Sequence, residues 1–194
     1  MQRYLLAIDH ISIFVGKFFG WAVVLLTGVV CFEVFMRYVM NNPTTWAYDF
    51  GYILYGSLFI MAGAYALAAH AHVRADVLTR LLSTKTQALI QVVLYPLFFF
   101  PAVLALSYFG YNFAELSFNI GERSPYSPHG PLLWPFKGLI PLAGFFLTLQ
   151  GAAEFIRSII AFRTGQWPAR VSDVRELGDE ILEQALNENQ GATK

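Results

Sequence analysis

The chain has 194 residues, of which 56% are hydrophobic and only 13% charged, whereas soluble domains carry about a quarter charged residues. This composition excludes a soluble globular domain and predicts an all-α, polytopic membrane protein. Its 13 basic and 13 acidic residues give zero net charge, which argues against a nucleic-acid partner, because phosphate binding needs uncompensated Lys and Arg. The single Cys31 excludes an intrachain disulfide framework and reads as a small buried hydrophobe.

The hydropathy pattern predicts four transmembrane helices, about 13–37, 46–69, 88–111 and 132–160, followed by an acidic tail over 164–194. The amino terminus, MQRYLLAIDHISIF, is basic ahead of apolar sequence, but no small-x-small cleavage site follows promptly, so it reads as an uncleaved first span. Lys17 and Arg37 stand twenty positions apart, roughly 30 Å along a helix and so the thickness of the hydrocarbon core. Each is expected to snorkel to one surface. Glu33 lies one turn before Arg37, where an i, i+4 pair shields the acid.

The turn NNPTT leads into the second span at Trp46, with Asp49 near the helix start, where free N–H groups and the helix dipole favour an acid. Arg37 and Asp49 therefore face one membrane surface and are expected to form a charge cluster with Glu33 that fixes the first hairpin or a partner contact. Gly56 and Gly63, a heptad apart, let another helix approach closely. Tyr48, Tyr52, Tyr55 and Trp46 form an interfacial aromatic group.

Between spans two and three the sequence turns basic, and Val77, Leu78, Leu81 and Leu82 beside Arg74, Arg80 and Lys85 predict a short interfacial helix. Pro96 and Pro101 in the third span each remove a backbone hydrogen bond and are expected to bend it, shaping a packing surface. The loop NFAELSFNIGERSPYSPHGP carries turn formers and is long enough to touch a partner. In the fourth span Lys137 and Arg157 repeat the spacing of twenty and the same snorkelling expectation. Gln150 is expected to bond to a neighbouring helix, with Glu154 nearer the far surface. In the tail, Val171, Val174, Leu177, Ile181 and Ala185 predict a short amphipathic helix beside several acids. Lys and Arg concentrate before span one, between spans two and three, and after span four, which places both termini in the cytoplasm. No nucleophile arrangement, phosphate-cradling loop or metal-ligand spacing occurs, so neither enzyme activity nor a cofactor is expected.

The run MRYVMNNPTTWAYDFGYILYGSLFIMAGAYAL followed by AHVRADVL resembles the small membrane subunit of tripartite ATP-independent periplasmic (TRAP) transporters. The matching features are Arg37 and Tyr38, Pro43, Trp46, Asp49, and the exit His72 and Asp76 with Arg74 between them. The later GERSPYSPHGPLLWPFKGLIPLAGFFLTLQGAAE is similar to the mannitol or chloroaromatic branch. Where many members carry a pair of acids after the Trp, this chain has Tyr48 and Asp49. The resemblance implies a bacterial inner-membrane scaffold for a large membrane subunit, in lipid, within a secondary symport system. There a periplasmic solute-binding protein delivers an organic solute, with an organic acid expected. Two other readings stay open from the residues: a redox-enzyme anchor holding haem between His10 and His70 or His72, and a self-sufficient small channel.

Overall fold

The computed structural model describes residues 2–69 and 82–168. Helices α1 (Gln2–Gly20) and α2 (Ala22–Tyr38) form the first rod, and α3 (Ala47–Ala68) the second. Helix α4 (Thr84–Leu94), a π-helical turn (Tyr95–Phe99) and α5 (Phe100–Asn119) form the third; α6 (Trp134–Thr164) is the fourth. All four rods are long and apolar enough to cross a bilayer, as the hydropathy pattern predicts. The expected interfacial helix and tail helix, and with them His72, Arg74 and Asp76, lie outside the described residues.

Three rods, of 36, 36 and 31 residues, exceed what a membrane requires. The first apolar stretch, Arg3–Tyr38, has 36 residues, roughly 54 Å at the helical rise against about 30 Å of hydrocarbon. Helix begins at Gln2 rather than near residue 13 because Leu5, Asp9 and Ser12 keep helical spacing and are all buried against neighbouring rods. The rod is interrupted at Trp21, which separates α1 from α2. In the third rod the prolines flank a change in the hydrogen-bond ladder. Pro96 lies in the π-helical turn and Pro101 opens the following helix, and the Phe100 N–H reaches back five residues to the Tyr95 carbonyl.

Helix α6 is the centre of the bundle, packing on α1, α3, α4 and α5. Its buried face is built from Ala143, Gly144, Gly151, Ala153 and Ala161, small residues that allow backbones to approach. Gly56 and Gly63 do face this helix: a Cβ on Gly56 would stand 2.6 Å from Phe136 Cζ, and one on Gly63 3.5 Å from Leu147. A tighter approach occurs at Gly16, where a side chain would overlap Tyr65. Cys31, expected inside, is exposed on α2. In a membrane-spanning helix an outward apolar thiol is no more costly than an inward one, so its hydrophobicity carried no information about its direction.

The connections fall at two ends. The α2–α3 turn and the α5–α6 loop share one, joined where the Ser127 hydroxyl reaches the Thr45 carbonyl. The amino-terminal half of α1 and the carboxyl-terminal half of α6 share the other, joined by Asp9 and Arg157.

Candidate functional site

At the terminal end, a polar cluster is sealed inside the bundle. Arg157 sits on α6 with 0% of its side chain exposed and grips Asp9 of α1, at 1%, with Nη2 2.6 Å from Oδ2. A second bond runs from Nη1 to Oδ1 at 3.0 Å, so the guanidinium fork meets both carboxylate oxygens. The same Nη1 donates to Glu154 Oε1 at 2.7 Å. Gln150, two turns earlier on α6, donates to Asp9 Oδ1 at 2.9 Å and accepts from the Ser12 hydroxyl at 2.9 Å. Ser158 donates to Gln91 of α4 at 2.8 Å, extending the cluster to the third rod.

Gln150 thus bonds to a neighbouring helix as expected, and Glu154 is fully buried rather than near a surface. Arg157 does not snorkel. Helix α1 runs alongside it and presents a carboxylate at the same height, so the ion pair replaces water as its solvation. Asp9 and Ser12 did not stand out in the sequence. The signal that could have found them is the spacing Leu5, Asp9, Ser12, Gly16, one helical stripe that carries an acid inward.

At the hairpin end the expected Arg37–Asp49 cluster does not form among the described residues. Arg37 pairs with Glu33 at 2.6 Å. The other oxygen of Glu33 accepts the Thr44 N–H at 3.0 Å and the Thr44 hydroxyl, which folds the turn back onto α2. The turn itself is a helix-terminating closure: Asn41 takes the left-handed conformation at φ 54° and the Asn42 N–H reaches the Met36 carbonyl at 2.9 Å. Asp49 is fully buried, and its carboxylate accepts from the hydroxyls of Ser124 and Ser127. The physical reason for the difference is that each acid has a nearer partner: Glu33 has the cation one turn away, and Asp49 has two hydroxyls from the α5–α6 loop. Trp46 precedes α3, stacked on Phe32 with ring centroids 5.9 Å apart.

The α5–α6 loop is shaped to deliver those hydroxyls. Its two strands of chain are held by Ser124 N–H to Pro131 O at 3.0 Å and Leu133 N–H to Glu122 O at 2.9 Å. Lys137, expected at a surface, is 8% exposed, bonds Glu122, and lies 3.8 Å from the Phe113 ring centroid. The Lys137 ammonium beside Glu122 holds that carboxyl below its ordinary value.

Every charged side chain buried among the described residues is therefore consumed in ties between elements of this chain, or, for Glu154, within α6. Such an arrangement fixes helices at set heights. His10 bonds its own backbone at Leu6 O, 2.8 Å.

No curated protein matches the chain. Residues 26–161 match the family model described as Tripartite ATP-independent periplasmic transporters, DctQ component, and this region runs from within α2 through most of α6, with both hairpin-end contacts and the Gln150–Arg157 half of the terminal cluster. The chain belongs to the DctQ family and is the small membrane permease subunit of a TRAP transporter.

Proposed function

We propose that this chain is the scaffold of its transporter, holding a large membrane subunit whose uptake of an organic solute, an organic acid in the first instance, is driven by an ion gradient after a periplasmic binding protein delivers the solute. The observation that carries this reading is the internal use of the buried charge. Asp9, Asp49, Lys137, Glu154 and Arg157 all bond within the chain. Their polar atoms serve helix packing, and the outward surface is apolar, with Val23, Val24, Leu25, Val34 and Phe35 of α2 all exposed. A surface of that kind suits contact with lipid and with another membrane protein. The chain lies in the bacterial inner membrane in this reading, with both termini cytoplasmic, as the Lys and Arg distribution favours.

Two experiments test it. The purified chain alone in liposomes should pass no ion and accumulate no organic acid, and a tagged chain should retain a larger hydrophobic subunit on purification from native membranes. Flux through the isolated chain would sink the scaffold reading. For orientation, a Cys31→Ala background with cysteine at His129 should react with an impermeant thiol reagent on whole cells, and one at Ser83 should not. The reverse pattern overturns the assignment of sides.

A further inference from the structure

We infer that the hairpin end of the chain binds one sodium-sized monovalent cation, held by Asp49, Ser127 and the backbone carbonyl of Thr45. The site is independent of which protein the chain braces.

Around Asp49 the oxygens outnumber the protons that join them. The Ser124 hydroxyl donates to Asp49 Oδ1. The Ser127 hydroxyl stands within bonding distance of two acceptors, Asp49 Oδ2 and the Thr45 carbonyl, yet a hydroxyl carries a single proton. One of those two contacts therefore sets lone pair against lone pair, and a positive ion among the three oxygens turns that repulsion into attraction. The Thr45 carbonyl is free for this role, since the helical ladder of α3 begins one residue later, at the Trp46 carbonyl that accepts the Phe50 N–H. Charge is short as well. Asp49 is 0% exposed, and among the described residues the cations at this end are engaged elsewhere: Arg37 with Glu33, Lys137 with Glu122, and Arg123 with the Gly130 carbonyl. The start of α3 supplies about half a positive charge, which leaves a net negative charge where an uncompensated ion is costly.

The donor set names the ion. Carboxylate, hydroxyl and carbonyl oxygens are hard ligands, which suit alkali and alkaline-earth ions rather than transition metals. One carboxylate balances one positive charge, whereas calcium sites recruit several. Beside the three oxygens lies a hollow of about 540 Å³, bordered by Thr45, Asp49, Ser127 and His129 and walled by Trp46 and Phe50. Thr45 is exposed and Ser127 half-buried, so waters from the hollow complete the coordination shell on their side. Asp49 itself shows the hollow no accessible surface. A dehydrated sodium ion, smaller than a water molecule, settles against it after a slight parting of the oxygens; a lysine or arginine head from another chain would have to hold open a passage as wide as its stem. A proton on Asp49 would also complete the count, and its signature is a site indifferent to sodium.

The test is sodium binding by the purified full-length chain in detergent. Equilibrium binding of radioactive sodium should saturate at one ion per chain. With choline as the substitute at constant ionic strength, sodium at roughly tenfold its half-saturating concentration should raise the folded-to-unfolded ratio by about tenfold, which is about 1.4 kcal/mol and about 3–6 °C in the melting midpoint. Ser127→Ala should weaken sodium binding by about fivefold, as for loss of one polar ligand. Asp49→Asn keeps the side-chain shape and should abolish the difference between sodium and choline, with circular dichroism reporting that both variants stay helical. Where a variant fails to fold, the parent chain still decides: no saturable sodium binding, or equal midpoints in sodium and choline, overturns the site. A sodium response that survives Asp49→Asn overturns it as well.

Discussion

The terminal-end cluster makes the sharpest demand on the fold, and Asp9→Ala is the perturbation that isolates it. The Asp9 carboxylate receives both arms of the Arg157 guanidinium and the Gln150 amide, and its side chain and that of Arg157 are 1% and 0% exposed. Solvent screening therefore earns no discount. Removing Asp9 strips two hydrogen bonds from a buried guanidinium, which keeps Glu154 as its counter-ion, and one from the Gln150 amide, a loss that costs up to about 3–5 kcal/mol. For a chain of this size that loss lowers a melting midpoint by about 6–20 °C. The assay is thermal unfolding of the detergent-solubilised chain, followed by fluorescence-detected size exclusion. Asp9→Asn should lose less, since its carbonyl still accepts from Gln150. The triple variant Asp9→Leu, Glu154→Leu and Arg157→Met should be more stable than Asp9→Ala alone, because all three charges leave the dry interior together and the volume is filled. A shift in Asp9→Ala below about 1 kcal/mol, the range of exposed pairs, would show that the cluster is hydrated and that this reasoning is wrong.

Glycine contacts grade a second series. Gly16→Ala meets Tyr65 at Cβ, which cannot swing aside, so it should cost about 1–3 kcal/mol by forcing α1 from α3. Gly56→Ala meets only the tip of the Phe136 ring and should cost less, and Gly63→Ala, in ordinary contact, should leave the melting midpoint unchanged. Asp49→Ala leaves Ser124 buried without its acceptor, at about 1–3 kcal/mol. Combined with Arg37→Ala its effect on the midpoint should be additive, because the two residues share no partner; a clear non-additive term would restore the charge cluster read from the sequence. The Glu122 carboxyl is held low by Lys137, so its contribution is complete above the unfolded pKa and is lost as pH falls through the folded one. The wild type should therefore lose stability relative to Glu122→Gln only below about pH 5, read from paired melting curves. A difference that narrows above neutrality instead would contradict that sign.

The four rods were legible because hydropathy over twenty residues is a property of the chain alone. The Glu33–Arg37 pair and the Gly56 and Gly63 contacts were legible for a related reason: each follows from spacing within one helix. What was not legible depends on relative height between rods. Whether Arg157 snorkels or is swallowed turns on whether α1 extends far enough to bring Asp9 beside it, and an apolar-run criterion ends α1 short of that residue. Asp49 shows the same limit at the other end, since only the path of the α5–α6 loop brings Ser124 and Ser127 to it. Lys137 was misread because the loop also returns Glu122 to its side.

Apolar helices in lipid have little reason to keep one axial register, because lipid tails solvate a leucine face as well as another helix does. The two clusters supply that reason. Asp9 with Arg157 ties α1 to α6, and Asp49 with Ser124 ties α3 to the loop entering α6, so the central helix is referenced to its neighbours near both of its ends. Sliding α1 by a single turn, about 5.4 Å, would separate Asp9 from Arg157 and strand the carboxylate in a dry interior. Close approach at Gly16 and Gly56 acts across the axis, where the charged ties are weak. Axial and lateral restraint together hold the helices in one arrangement, as the scaffold role proposed above requires.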